Sequence, residues 1–98
     1  MSGLASTIKM LSKKPLEEAI RMIDVKYHDQ IERNAIKRSI MVIRSDHKRG
    51  IEHTTASISQ LYAGSLRAAR KYYHDRGITF VNGNMYYNAV NYHTHHHR

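Results

Sequence analysis

The sequence predicts a mainly α-helical domain that carries a small β-hairpin near its end. Three observations support this fold class: apolar residues recur at helical spacing across 15–49, a second helical pattern covers 54–76, and an Asn-Gly pair separates two β-prone runs within 78–87. With 98 residues, the chain has room for one domain with a modest core.

Positions 1–14 are expected to form a flexible basic N-terminal arm. This stretch contains three lysines and no acidic residue, and it lacks the apolar core of a secretory signal. The single helical domain is therefore expected to span residues 15–90.

Residues 15–49 are predicted to form one long helix or two shorter ones. Pro15 suits a first helical turn, and Glu17 and Glu18 complement the positive end of a helix dipole. An apolar stripe follows at helical spacing, and its members are Leu16, Ile20, Ile23, Tyr27, Ile31, Ile36, Ile40 and Ile43. So long a stripe exceeds what two short helices behind it can cover. We expect either a break within 29–34 or a second copy of the chain on the exposed remainder. A core formed within one chain is the alternative to a dimer.

Two short helices are predicted between 54 and 76, joined at Ala63-Gly64-Ser65. Thr54 and Thr55 are both good N-cap residues, and Ile58, Leu61 and Tyr62 then share one helical face. Gly64 would end this first helix, and Ser65 would cap the next one.

The second of these helices is expected to run from about 66 to 76. Its apolar stripe is predicted to consist of Leu66, Ala69, Tyr72 and Tyr73. The basic residues project elsewhere, and they are Arg67, Arg70, Lys71 and His74. One face of this helix would pack and another would carry positive charge.

A β-hairpin is expected at 78–87, directly after Gly77, which is a plausible C-cap residue. Asn82 and Gly83 suit a type I′ turn, because both central residues of that turn need positive φ. The alternative is a surface loop, since Asn-Gly pairs also occur in ordinary turns.

The segment from Ser57 to Tyr73 resembles helix-turn-helix regulators, whose first helix ends near a small residue and whose second opens on a Ser or Thr cap. With the hairpin behind it, residues 54–88 resemble a winged helix. Two positions depart from that pattern: Ser59 stands where an alanine is usual, and Ala63 stands where the turn glycine is expected.

This resemblance implies a sequence-specific, double-stranded DNA-binding protein that acts as a small transcriptional regulator, as a homodimer. The helix 66–76 would enter the major groove, and the hairpin tip from Asn82 to Asn84 would touch the minor groove or the backbone. The DNA-binding residues that it implies are Ser65, Arg67, Arg70, Lys71, His74, Asn82 and Asn84.

The charge distribution independently favours a polyanionic partner. Sixteen Lys and Arg against eight Asp and Glu give a net charge of +8 and a pI near 10.0. Residues 53–98 contain a single acid, Asp75, against five Arg or Lys. The second half of the chain is thus the expected binding surface, although basicity alone also serves solubility.

Neither catalysis nor a cofactor is expected. The sequence contains no cysteine, no phosphate-cradling glycine loop and no HExxH pair. The tail at 91–98 is rich in histidine and offers imidazoles to a transition metal, but we expect a flexible end and no physiological metal site. A histidine-based nuclease is a remote third choice.

Other partners remain open. Seven tyrosines, five of them from Tyr62 to Tyr87, suit a small adaptor or inhibitor, encoded by a phage or plasmid, that docks on an acidic protein of the transcription or defence machinery. RNA binding by stacking on these rings is a further alternative. No apolar run approaches the roughly 20 residues that span a bilayer, so we expect no membrane association and a cytoplasmic location, at the nucleoid in a bacterium.

Overall fold

The computed structural model describes residues 3–81 and 84–87, with side chains described through Ile78. The elements are the helices α1 (Leu4–Leu11), α2 (Leu16–Lys26), α3 (Gln30–Lys48) and α4 (Thr55–Asp75), followed by the strands β1 (Ile78–Val81) and β2 (Asn84–Tyr87). Helix α3 is central, because α1, α2 and α4 all contact it.

Helix α1 replaces the flexible arm that the sequence predicted for 1–14. It packs against α3 and α4, and its Ile8 and Leu11 are buried in the core. Leu4, Ile8 and Leu11 follow the 4, 3 spacing of an amphipathic helix, so this helix of about two turns presents an apolar edge to the core. The prediction of an arm was wrong because it relied on the basic composition of this stretch and not on the spacing of its apolar residues.

A break is present, but it covers 27–29 and begins two residues before the range 29–34 in which it was expected. Helix α2 ends at Lys26, and Tyr27 is extended with φ −113° and ψ 121°. Asp29 then caps α3, since its carboxylate accepts hydrogen bonds from the backbone N–H groups of Ile31 at 2.8 Å and Glu32 at 3.2 Å. Such a cap stabilises a helix start by about 1 kcal/mol.

The core lies where α3 meets the other three helices. Its buried residues are Ile8, Leu11, Ala19, Ile23, Ile36, Ile40, Ile43 and Ile58. Full burial of one such isoleucine contributes about 1.5–3 kcal/mol. Ile36, Ile40 and Ile43, which belong to the stripe that a second copy could have covered, are covered within a single chain by the neighbouring helices.

Helix α4 runs without interruption through the site of the predicted turn. Gly64 and Ser65 lie inside its 21 residues, and the glycines with positive φ among the described residues are Gly50 and Gly77. Ile58, Leu61 and Ser65 lie on one inward face, so the residues before and after the glycine stay in phase along a single helix. An interior glycine costs about 1 kcal/mol, which a packed helix tolerates.

Local signals mark the end of α3 and both ends of α4. Gly50, with φ 82°, ends α3 in a Schellman motif, in which the N–H groups of Gly50 and Ile51 donate to the carbonyls of His47 and Asp46. Thr54 caps α4 by accepting a hydrogen bond from the N–H of Ser57 at 3.1 Å. Gly77, with φ 71°, follows the end of α4.

Strands β1 and β2 pair antiparallel, with Ile78 opposite Tyr87 and Val81 opposite Asn84. The predicted turn at Asn82 and Gly83 and the predicted tail at 91–98 lie outside the described residues.

The predicted fold class, a winged helix-turn-helix, is wrong. Residues 3–77 form four helices and their connections. The β1–β2 pair follows this helical body and is not the wing of a helix-turn-helix. A continuous α4 leaves no helix-turn-helix for a wing to follow. Among the described helices, none combines the length and the apolarity that a membrane span requires.

Candidate nucleic-acid interface

The outward side of the second half of α4 carries a cluster of positive charge. Its members are exposed and follow the i, i+3, i+4, i+7 spacing of one helical face; we call them the α4 basic face, and they are Arg67, Arg70, Lys71 and His74. This face lies on the side of the helix opposite the buried Ile58 and Ser65. The core therefore fixes α4 and leaves the basic side chains free to contact a partner.

Little negative charge opposes the α4 basic face. Lys71 Nζ lies 2.9 Å from Asp75 Oδ2, and this hydrogen bond is the main cause that lowers the pKa of the Asp75 carboxyl. Both side chains are largely exposed, so the ion pair is weak and can exchange its partner. Arg67 and Arg70 make no ion pair within the described part of the chain.

A groove of about 450 Å³ runs beside the α4 basic face, between α3 and α4. We call it the α3/α4 groove, and it is lined by Asn34, Lys37, Arg38, Ser65, Ala68, Ala69, Tyr72 and Tyr73. A second hollow, of about 300 Å³, continues along α4 past Gly64 and shares Arg38 with the groove. Small residues of α4 thus leave an open channel next to a cation of α3.

Tyr72 stands at the edge of this groove, half exposed, although the sequence had placed it in the buried stripe of its helix. The guanidinium of Arg76 covers its ring at 3.5 Å from the centroid and donates a hydrogen bond to the Tyr72 carbonyl at 3.1 Å. The Tyr73 ring meets it edge-on at 5.2 Å. Asn34 Nδ2 in turn donates to the Tyr73 hydroxyl at 2.5 Å, which ties α3 to α4.

A second polar cluster joins the end of α3 to the start of α4. His53 Nε2 lies 2.7 Å from Asp46 Oδ2, and His53 Nδ1 lies 3.0 Å from Ser57 Oγ. The hydrogen bonds from His53 and then from Arg49 lower the pKa of the Asp46 carboxyl.

The Asp46-His53-Ser57 cluster fastens the loop 49–54 to both helices. Ser57 Oγ also donates a hydrogen bond to the carbonyl of Thr54 at 3.0 Å. Within the described residues, no group of three His, Asp or Glu side chains is placed to hold a metal ion.

The structure brings four of the predicted DNA-binding residues together, namely Arg67, Arg70, Lys71 and His74. Ser65 is a correction: it lies in the middle of α4 with 5% exposure, so it neither caps a helix nor reaches a phosphate. Asn82 lies outside the described residues, and Asn84 begins β2 with its side chain outside them.

Sequence reasoning missed Arg38, the exposed basic residue that lines both the α3/α4 groove and the second hollow past Gly64. The sequence contained only a weak indication of its role. Arg38 follows Asn34 by one helical turn, on the polar side of α3, which is where a residue next to a neighbouring helix would lie. Only the packing of α3 on α4 turns that position into part of a site.

Comparisons of this chain with protein-family models, with curated proteins and with solved structures find no match. Function must therefore be inferred from the chemistry of its own residues. The α4 basic face and the α3/α4 groove are the surfaces whose chemistry best indicates a ligand.

Proposed function

We propose that this protein binds double-stranded DNA and that the α4 basic face makes the main contacts. The observation that supports the proposal best is the clustering of Arg67, Arg70, Lys71 and His74 on one exposed face, with Asp75 as its one acidic neighbour on α4. Arg and Lys are the side chains that contact DNA phosphates most strongly. An α-helix also fits the major groove, which is about 12 Å wide.

The length of the basic face suits a repeated anion better than a single one. From Arg67 to His74 the helix rises by about 10 Å, at 1.5 Å per residue, while phosphates along one DNA strand recur about every 3.4 Å of axis. Charges spread over that distance can contact several phosphates at once. The net charge of +8 on the whole chain adds long-range attraction to the same polyanion.

A role in transcriptional regulation is the finer part of this proposal, and it requires base selectivity. With no helix-turn-helix in the fold, phosphate contacts are expected to dominate affinity. Arg67 and Arg70 are the groups able to read guanine, because a guanidinium can form two hydrogen bonds to O6 and N7 in the major groove.

The experiment compares two double variants that lose the same charge. Arg67→Ala with Arg70→Ala removes two cations from the basic face; Arg21→Ala with Lys48→Ala removes two exposed cations elsewhere. Binding to a labelled duplex is measured by fluorescence anisotropy over a range of salt concentrations. Two lost charge-assisted contacts should weaken binding by about tenfold or more, and should reduce the salt slope by about two units.

The control pair should change affinity by much less than the basic-face pair. Equal losses in both variants would show that only net charge matters, and the α4 assignment would be wrong. A wild-type protein that binds no duplex at low salt would refute DNA binding altogether. Selectivity for sequence is then measured on a pool of random duplexes.

A further inference from the structure

The α3/α4 groove has a different chemistry from the α4 basic face beside it. The basic face presents charge alone, whereas the groove combines an aromatic ring, an amide, two cations and a floor of small residues. Such a combination suits a flat, polar ligand more than a phosphate. The volume of about 450 Å³ lies within the range of about 300–1,000 Å³ that is usual for small-ligand sites.

Tyr72 is prepared as a stacking surface. Its ring lines the groove and is 50% exposed, and the guanidinium of Arg76 lies against the ring at 3.5 Å from the centroid. The edge-on contact with Tyr73 restrains the ring further. A ring held in this way loses little freedom when a ligand stacks on it.

The space next to this ring is open because the residues of α4 around it are small. Ala68 and Ala69 line the floor of the groove, and Ser65 lies one turn before them. Bulky side chains at these positions would fill the slot beside Tyr72. A planar ring can therefore enter between the floor of α4 and the polar side chains of α3.

The polar groups of α3 are placed for a nucleotide. Asn34 offers an amide to the edge of a base, although it now bonds to Tyr73 and Gln30. Lys37 is engaged by Asp24 at 2.8 Å, whereas Arg38 is exposed and has no ion pair among the described residues. Arg38 is thus the cation available to a phosphate next to the bound base.

We propose that the α3/α4 groove takes one unstacked base of the DNA that the α4 basic face holds. The base stacks on Tyr72, and Arg38 contacts the adjoining phosphate. The proposal rests on the proposed function, and it specifies the kind of DNA that is preferred. Because a base must leave the helix to reach the groove, DNA with an unpaired base should bind better than fully paired DNA.

The test uses three labelled DNA molecules with the same flanking sequence. One is a perfect duplex, one carries a single bulged thymine, and one carries a bulged abasic nucleotide at the same place. The two bulged molecules have the same phosphates and the same distortion, so their difference reports the base alone. Anisotropy titrations with the full chain give the three dissociation constants.

Wild-type protein should bind the thymine bulge about tenfold more tightly than the abasic bulge, which is the effect of one base stacked on an aromatic ring. Tyr72→Ala should remove this difference, and Tyr72→Phe should keep it, because stacking needs the ring and not the hydroxyl. Ala68→Phe should also remove the difference by filling the groove. Circular dichroism establishes that each variant is folded.

The outcomes separate this inference from the function on which it rests. Equal binding of the two bulged molecules by wild-type protein, or a preference that survives in Tyr72→Ala, would overturn the base-binding groove while DNA binding stands. Binding to none of the three molecules would overturn both. An RNA copy of the thymine-bulged duplex that bound more tightly than the DNA would overturn the assignment to DNA.

Discussion

The two halves of α4 present different surfaces to solvent. The first half, 55–65, contains no charged residue, and its outward positions are small or polar. The second half, 66–75, carries the whole α4 basic face. Both halves belong to one helix, and its contribution to the core comes from Ile58, Leu61 and Tyr62 in the first half. The core therefore does not require the basic residues, and their clustering is best explained by a ligand.

The two halves also differ in how they are anchored. The first half is fixed by Ile58 in the core and, at its start, by the Asp46-His53-Ser57 cluster. The second half is fixed mainly through Tyr73, whose hydroxyl bonds to Asn34. Because α4 is continuous, anchoring the first half also positions the basic face.

Proline at the junction should separate the two halves. Gly64→Pro removes a helix hydrogen bond and places the proline ring against the preceding turn, so it should lower the free energy of unfolding by about 3 kcal/mol or more. Chemical denaturation measures the loss. The matched control is Thr55→Pro in the first turn, where no helix hydrogen bond is lost and the effect should be small. A mild effect of Gly64→Pro would mean that α4 is already broken there.

Asp46→Asn should change how stability depends on acid. Because hydrogen bonds from His53 and Arg49 lower the pKa of Asp46 in the folded chain, the charged carboxylate stabilises the fold above its ordinary pKa of 3.8, and that contribution is lost as pH falls below it. The free energy of unfolding should therefore fall less in Asp46→Asn than in the wild type between pH 6 and pH 3.

Asp24→Asn is the control for this experiment, because Asp24 is half exposed and pairs with Lys37 outside the cluster. It should retain the acid-dependent loss of the wild type. Identical pH profiles for Asp46→Asn and the wild type would show that the cluster does not hold the start of α4.

Gly64→Ala should have the smallest effect on the free energy of unfolding. The sign of that effect distinguishes a continuous helix from a helix-turn-helix. In a continuous helix alanine should raise the free energy of unfolding by about 0.5–1 kcal/mol, because it restricts the unfolded chain and favours the helix. The added methyl group would meet only the Arg67 guanidinium, at 3.9 Å. In a helix-turn-helix with Gly64 at positive φ, the same change would destabilise the protein.

Much of the helical framework could be predicted from the sequence because caps and apolar periods are local signals. The ends at Gly50 and Gly77, the cap at Thr54 and the break before α3 all have such signals. The prediction of a turn at Gly64 was wrong because a glycine followed by a serine fits both a helix end and a helix interior. The deciding information was the unbroken phase of the buried stripe, which depends on packing against α3.

The candidate site, too, could be predicted only in part from the sequence. The basic residues of α4 could be predicted because helical spacing alone puts them on one face. Arg38 and the exposure of Tyr72 were not readable, since both follow from the path of α3 across α4. No local pattern encodes the distance between two helices.

DNA contact by the second half of α4, and not by the first, can be tested by titrating ¹⁵N-labelled protein with duplex DNA and following the amide chemical shift of each residue. We expect the largest changes across 67–75 and at Arg38, with small changes from Thr55 to Leu61. Changes confined to α1 and α2, or none at saturating duplex, would contradict the claim.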